Sequence, residues 1–238
     1  MKCVIIAAGR GSRLGERSES KPLLLVKDRA LIEWVILAAY QAGIRDFLIV
    51  TGYSRERLEQ YLNGLAREKG IRVSFAHNDE WEKENGLSVF KAKELAGEEF
   101  VLLMADHIFD PGILAKLIVQ PIEKSETILA VDFNVRNNPL VDLDDVTKVL
   151  VEEGKIAKIG KEITPYNAFD TGIFLCTSSI FNALEESQKR GDFSLSGGLR
   201  VLVESRKARV MDIDGGFWID VDDEKALEKA ESVLMPRG

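Results

Sequence analysis

Cysteine is scarce in this chain: Cys3 and Cys176 are the only two among 238 residues. Each lies inside an apolar run, which excludes a disulfide framework and predicts buried thiols in a reducing compartment. Long hydrophobic runs are missing too. None approaches the ~20 residues of a membrane span, so no membrane insertion is expected. The opening MKCVIIAAG has too short an apolar region for a secretory signal and runs straight into a glycine turn, which leaves the cytoplasm as the expected location. A basic excess is also lacking. The net charge is −7 and the isoelectric point about 5.1, which argues against a nucleic-acid partner. There is no internal repeat, low-complexity tract or linker, so the chain reads as one domain.

What is present is alternation. With 45% hydrophobic residues the chain can bury a full core. CVIIAA, DFLIVTG, IRVSFAHN and EFVLLMAD read as strands. LIEWVILAAYQAG, SRERLEQYLNGLAREKG (with Ser54 as its expected cap) and GLSVFKAKELAG between them read as helices. This rhythm predicts an α/β fold with a doubly wound, mostly parallel sheet. After about residue 125 the sheet is expected to become mixed, with ETILAVDFNV, a hairpin turning at EEGK, and FDTGIFLCT separated by fewer helices. DEKALEKAESVL closes the chain as a helix.

The stretch AAGRGSRLGERSESKP concentrates Arg10, Arg13, Arg17 and Lys21 around a glycine-rich turn in an otherwise acidic chain. Such a turn after a first strand brings backbone N–H groups close to phosphate, and ligands of α/β sheets bind at the carboxyl ends of strands. A dinucleotide fingerprint fits poorly. The spacing is Gly9-x-Gly11-x-x-x-Gly15, a basic loop follows instead of a helix, and the second strand ends without an acidic residue for a ribose. No P-loop pattern is present. A glycine turn among solvated charges remains the plain alternative.

AAGRGSRLG followed by KPLLLV resembles the start of the sugar-phosphate nucleotidyltransferases, which join a phosphate monoester to a nucleoside triphosphate. The likeness continues in order through VLLMAD and GFWIDVDDEKAL. It implies a Rossmann-like nucleotidyltransferase fold, with residues 1–125 as the nucleotide-binding half and 126–238 as the acceptor-binding half. It implies that Ala7, Ala8, Gly9, Gly11 and Ser12 contact the nucleotide, that Arg13 grips the triphosphate, and that Lys21 bridges phosphates at the reacting centre. The chemistry demands such cations, because each pair of like charges at ~4 Å costs about 4 kcal/mol at an effective dielectric of ~20. Arginine supplies bidentate phosphate binding and lysine a mobile point charge. The attacking phosphate is already an anion, so no general base is needed, and a chain with two histidines lacks nothing for this reaction.

Mg²⁺ is the implied cofactor, held by one or two carboxylates plus phosphate oxygens and water. Asp106 ends the strongest apolar strand, and Asp220 follows the short run FWI. The family resembled holds its ion at these two positions, and Asp106 also counts among the nucleotide-binding residues. Read alone, each is an ordinary turn or cap aspartate, and Asp222 or Asp223 is expected to cap the final helix. His107 stands where many relatives have glycine; lining the site and merely packing are equally open for it.

For the acceptor, VTKVLVEEGKIAKIGKEITPYNAFDTGIFLCT lies where relatives hold the sugar phosphate. GKE replaces the EKP of glucose- and mannose-phosphate enzymes. The TKV, IGK and DTG segments are most similar to the CTP:inositol-1-phosphate cytidylyltransferases. That likeness implies Lys148 and Lys161 on the inositol phosphate, with Lys161 also catalytic, and Asp170 and Thr171 on the ring hydroxyls. Solvated strand-edge lysines are the plain alternative. WEKENGLS falls where relatives recognise the base, which implicates Asn85 and Gly86, and Ser88 either there or as a helix cap. The family often carries a membrane phosphotransferase domain that consumes CDP-inositol. Here that step is expected to fall to a separate membrane CDP-alcohol phosphotransferase. Phosphocholine, caged by Trp81, Tyr166, Phe169 and Trp218, or a hexose-1-phosphate stay open as acceptors, as does a non-catalytic nucleotide-binding module.

Overall fold

A computed structural model of the chain describes residues 1–11 and 20–234. After β1 (Lys2–Ala7) come a lysine-proline turn at Lys21–Leu23 and the short strands β2 (Leu25–Val26) and β3 (Arg29–Ala30). Helix α1 (Leu31–Gln41), β4 (Asp46–Thr51), α2 (Arg55–Lys69), β5 (Arg72–His77), α3 (Asn85–Lys91), α4 (Lys93–Ala96) and β6 (Glu99–Met104) complete the alternating half. The second half holds β7 (His107–Phe109), α5 (Pro111–Leu117), β8 (Thr127–Asp132), β9 (Lys148–Glu152), β10 (Lys155–Gly160) and β11 (Ala168–Thr177). It ends with α6 (Ser179–Lys189), α7 (Leu195–Glu204), β12 (Ala208–Asp212), β13 (Trp218–Asp220) and α8 (Glu224–Val233).

Nine of the described strands form one sheet in the order β5-β4-β1-β6-β11-β8-β12-β10-β9. β5, β4, β1 and β6 are mutually parallel, whereas β11 runs antiparallel to both β6 and β8. The fold is a single mixed α/β domain with a doubly wound parallel half, as the alternation predicts. Strands β1, β4 and β6 are apolar almost throughout because helices cover both faces of the sheet. Cys3, Ile5, Phe47 and Ile49 point to the side of α1, α2 and α5. Val4, Leu48, Val50 and Phe100 point to α3, α4, α6 and α7. Each such fully buried side chain contributes about 1.5–3 kcal/mol. The edge strand β5, half exposed, alternates instead.

Several expectations are corrected. The strands β8, β9, β10 and β11 follow one another without an intervening described helix, as expected, but two helices not expected from the sequence, α6 and α7, stand between β11 and β12. The Gly197–Gly198 pair sits inside α7, where added Cβ atoms would stand 2.3 Å from Ser187 Oγ and 2.7 Å from Leu184 Cδ2 of α6. Close helix packing, not a turn, explains those glycines. The helix read over residues 86–97 breaks into α3 and α4 at Ala92. Ser54 precedes α2 but has φ 54° and makes no side-chain cap bond. The hairpin does turn at Glu153–Gly154, both at positive φ (50° and 72°), and joins β9 to β10.

Candidate active site

The strand order reverses beside β1: the chain steps outward to β4 and β5, then returns to β6 on the other flank. Ligands bind at such a switch point, outside the carboxyl ends of the strands. The glycine turn follows β1 there, and Asp106 follows β6. A cavity of about 270 Å³ between them is lined by Ala7, Gly9, Gly11, Lys21, Asp106 and Asp222, among others. Gly11 has φ +72°, and a Cβ there would stand 2.4 Å from Lys21 Cβ. Glycine is therefore required both by the backbone and by the lysine packed against it. Ser12 and Arg13 lie outside the described residues.

Lys21 is 7% exposed and anchors the cluster. Its Nζ donates to Asp106 Oδ2 at 2.5 Å and also to Asp222. Burial works against its charge, but Asp106, Asp220 and Asp222 together outweigh that and raise its pKa. Burial likewise pushes Asp106 up, yet Lys21 and His107 more than offset it and hold that carboxyl at about 2. Asp220 goes the other way, raised by burial and by the like charges of Asp106 and Asp222 against the pull of His107. Of the two aspartates offered as cap of the final helix, Asp223 takes that role, accepting from Ala226 N at 2.7 Å, and Asp222 turns to Lys21 instead. The legible signal for Asp222 is alternation: Val221 is fully buried, so residues 220 and 222 share the opposite face of an extended segment.

His107 and Asp220 are register partners in the antiparallel pair β7–β13. His107 Nε2 lies 3.3 Å from Asp220 Oδ2, and the imidazole meets Trp218 edge-on with centroids 6.2 Å apart. Burial would lower the His107 pKa, but Asp220, Asp106 and Asp222 push it up to about 9. Residues equally open to lining and packing thus resolve here into both, since His107 borders the larger cavity described next. Among the described residues, donor atoms of Asp106, His107 and Asp220 all fall within 4.8 Å of one another. Asp220 Oδ1 is buried with no hydrogen-bond partner. That orphaned acceptor, in a set of three close donors, fits a divalent cation.

Gly172 makes room for this histidine. It adopts φ +73°, and a Cβ there would stand 1.9 Å from His107 Nδ1. Gly172→Ala is expected to displace the imidazole and to cost about 1–3 kcal/mol from overpacking and the left-handed backbone. Urea unfolding checks the loss, and an unchanged midpoint would contradict the packing.

A second cavity of about 610 Å³ meets the first at Asp106 and Asp222. His107, Asp145, Thr147, Lys161, Asp170 and Trp218 line part of it. Asp170 reaches this edge because β11 runs antiparallel, so its first residues lie beside the carboxyl end of β8. Its Oδ1 accepts from Gly172 N at 2.8 Å. Burial lifts its pKa to about 6, against the pull of the Gly172 N–H and His107. A raised carboxyl favours the folded state below the unfolded pKa and loses that contribution as pH rises through about 6. Asp170→Asn should therefore gain stability relative to the parent as pH rises from the ordinary carboxylate value of 3.8 through about 6. Thermal melts at several pH values test this, and a pH-independent difference would refute it.

The remaining expected site residues divide. Lys161 borders the cavity and pairs with Asp145. Lys148 is not among the lining residues: its Nζ donates to the Lys161 carbonyl at 2.8 Å and lies over the Tyr166 ring, so it steadies Lys161 from behind. Thr171 is fully buried, donating to Ala130 O at 2.8 Å. Alternation along β11 turns it inward while Asp170 faces out. Asn85 lines the cavity with its Oδ1 accepting from Leu195 N at 2.9 Å. Gly86 and Ser88 are buried, and Ser88 Oγ accepts from Asn78 Nδ2 at 2.9 Å inside α3 rather than capping it. Ala8 is buried, its carbonyl accepting from Tyr53 N at 2.9 Å. Asp145 had no local signal in sequence; only the loop before β9 brings it to Lys161.

Comparison with known proteins adds to this geometry. The model of the MobA-like NTP transferase domain matches residues 3–162. A protein of Archaeoglobus fulgidus named "Bifunctional IPC transferase and DIPP synthase" is 31% identical over 235 residues, covering 99% of this chain and 44% of its own length. One of the same name from Aquifex aeolicus is 32% identical over 236 residues, covering 98% of this chain and 51% of its own. The chain thus spans about half the length of these curated relatives. Among solved structures, the inositol-1-phosphate CTP transferase from T. maritima is similar with a TM-score of 0.83 and 25% identity, covering 99% of this chain and 98% of that one.

Proposed function

The chain belongs to the MobA-like NTP transferase family, and from that membership we propose that it transfers a cytidylyl group from CTP to inositol-1-phosphate, giving CDP-inositol and pyrophosphate. The observation that carries this reading is the junction of the two cavities at Asp106 and Asp222, with Lys21 bound to both carboxylates. One cavity has the glycine turn that suits a triphosphate; the other has the mixture of carboxylates and a lysine that suits a polyol phosphate. The names of the relatives and of the structural neighbour support the choice of substrates.

In this reading the turn from Ala7 to Gly11, with Ser12 and Arg13, takes the triphosphate, while Asn85 would meet the base from the larger cavity that it borders; Gly86 is buried in α3. Lys161 meets the acceptor phosphate and Asp170 the ring hydroxyls. An acceptor phosphate oxygen bonds to the α-phosphorus, the bond from that phosphorus to the bridging oxygen breaks, and pyrophosphate leaves with the electron pair. The nucleophile is already anionic, so positioning and charge stabilisation carry the rate. Asp106 and Asp220 would hold a divalent cation, Mg²⁺ in the simplest case, which when bound supplies positive charge against the triphosphate. Dependence on CTP favours a cytoplasmic enzyme, and no described helix is long and apolar enough to cross a membrane. CDP-inositol would then be the substrate of a CDP-alcohol phosphotransferase activity.

Phosphocholine loses ground as the acceptor. Of the four aromatics available for a cage, only Trp218 lines the cavity among the described residues. Trp81 meets Tyr53 at 5.1 Å, and Tyr166 lies against Phe169 at 5.8 Å. The direct test crosses four nucleoside triphosphates with inositol-1-phosphate, phosphocholine and glucose-1-phosphate and measures pyrophosphate release. Release confined to CTP with inositol-1-phosphate is expected; release with another pair, and none with this one, overturns the reading. Asp170→Ala should then raise KM for inositol-1-phosphate by a factor of about 5–150, through hydroxyls left unpaired, with far less effect on KM for CTP. A rise for CTP alone would move Asp170 to the nucleotide side.

A further inference from the structure

The donor set beside Asp106 is not made of carboxylates alone. We propose that His107 Nε2 is a third protein ligand of the cation site formed by Asp106 and Asp220, and that this nitrogen turns the site's preference from magnesium toward cobalt- or zinc-type cations. The inference rests on the reading that Asp106 and Asp220 hold a divalent cation. The two donors His107 Nε2 and Asp220 Oδ2 stand 3.3 Å apart, close to the ~3 Å between adjacent ligands on an octahedral ion with bonds of about 2.1 Å. One ring nitrogen of His107 and one carboxylate oxygen each of Asp106 and Asp220 lie within 4.8 Å of one another, within reach of one ion.

The ring is held so that only one nitrogen can serve. Nδ1 faces Gly172, whose missing side chain leaves the gap that the imidazole fills. The opposite edge, Nε2, faces Asp220. Trp218 braces the ring from the side at 80°, and its own indole N–H is fixed by donating to Asp132 Oδ2 at 2.9 Å. Asp132 is 3% exposed and also accepts from Asn134 N and Asn138 Nδ2, so this support is part of the core. β7–β13 pairing places residues 107 and 220 opposite each other, and Val221 N donates to Asp106 O at 3.0 Å. Backbone hydrogen bonds therefore fix the relative positions of residues 106, 107 and 220. Magnesium prefers oxygen donors and keeps several waters, whereas imidazole nitrogen is a better ligand for later first-row cations. On binding, the Nε2 proton would be released to solvent.

The test uses the intact protein and Co²⁺ as the probe. An imidazole bound to Co²⁺ gives a solvent-exchangeable ring N–H proton resonance far outside the normal range. The chain has only two histidines, and the other, His77, is in a separate region beside Asp79. One such resonance is expected, kept in His77→Gln and lost in His107→Gln. Calorimetric titration of the same proteins with Co²⁺ and Mg²⁺ should show the Co²⁺-over-Mg²⁺ affinity ratio falling about tenfold or more in His107→Gln. If Co²⁺ binds in an Asp106-dependent way without the shifted resonance, the histidine is not a ligand and the inference fails, while the carboxylate site stands. If neither ion binds, with or without CTP, the cation reading itself fails. The parent resonance decides the matter even if His107→Gln folds poorly.

Discussion

Lys21→Ala is expected to lower kcat by about 10²–10³-fold, the range for losing one oriented charge donor at a reacting centre. Lys21 is the cation among the described residues that borders the phosphate-side cavity, and its ammonium holds two carboxylates, Asp106 and Asp222. Without it those carboxylates would face the incoming phosphates unshielded. Each such repulsion is worth about 4 kcal/mol at ~4 Å and an effective dielectric of ~20. Asp106 would also lose the main influence holding it at about 2, so its pKa should rise in the variant. The parent draws stability from ionised Asp106 above the unfolded carboxylate pKa and loses it as pH falls toward about 2. Lys21→Ala should show less of that acid sensitivity. Single-turnover rates and acid unfolding curves check both statements, and a near-normal kcat would remove Lys21 from the reacting centre.

Asp106→Asn should lower divalent-cation affinity by about tenfold or more and turnover by about a hundredfold, while leaving the fold in place. Asparagine keeps the shape of the side chain and an acceptor for Lys21 Nζ, which also retains Asp222. What it removes is the charge that one cation ligand must provide, at the position shared by both cavities. Turnover measured against cation concentration, beside calorimetric binding, separates a loss of affinity from a loss of rate at saturation. Unchanged activity at limiting cation would refute the assignment.

The sequence by itself determined the alternating half of the sheet. Its central strands are continuous apolar runs and its helices carry periodic stripes, and both patterns arise locally from burial on one or two faces. It also marked the glycine turn and Lys21, because glycines and cations clustered after an apolar run stand out in an acidic chain, whereas Asp106 and Asp220, ordinary turn aspartates when read alone, were singled out by the family resemblance. The tertiary structure alone decided how those residues meet. Alternation along β11 buried Thr171 and left Asp170 at the cavity, while Lys148 folded back onto the Lys161 carbonyl. Of the two candidate caps Asp223 took the helix end, and Asp222 joined Lys21. His107 gained its place from a glycine far away in sequence, Gly172, and from strand register with Asp220. Spacing along the chain specifies which face a side chain takes within its own element. It does not specify which element lies across from it, because that follows from sheet order and register, set by the whole core.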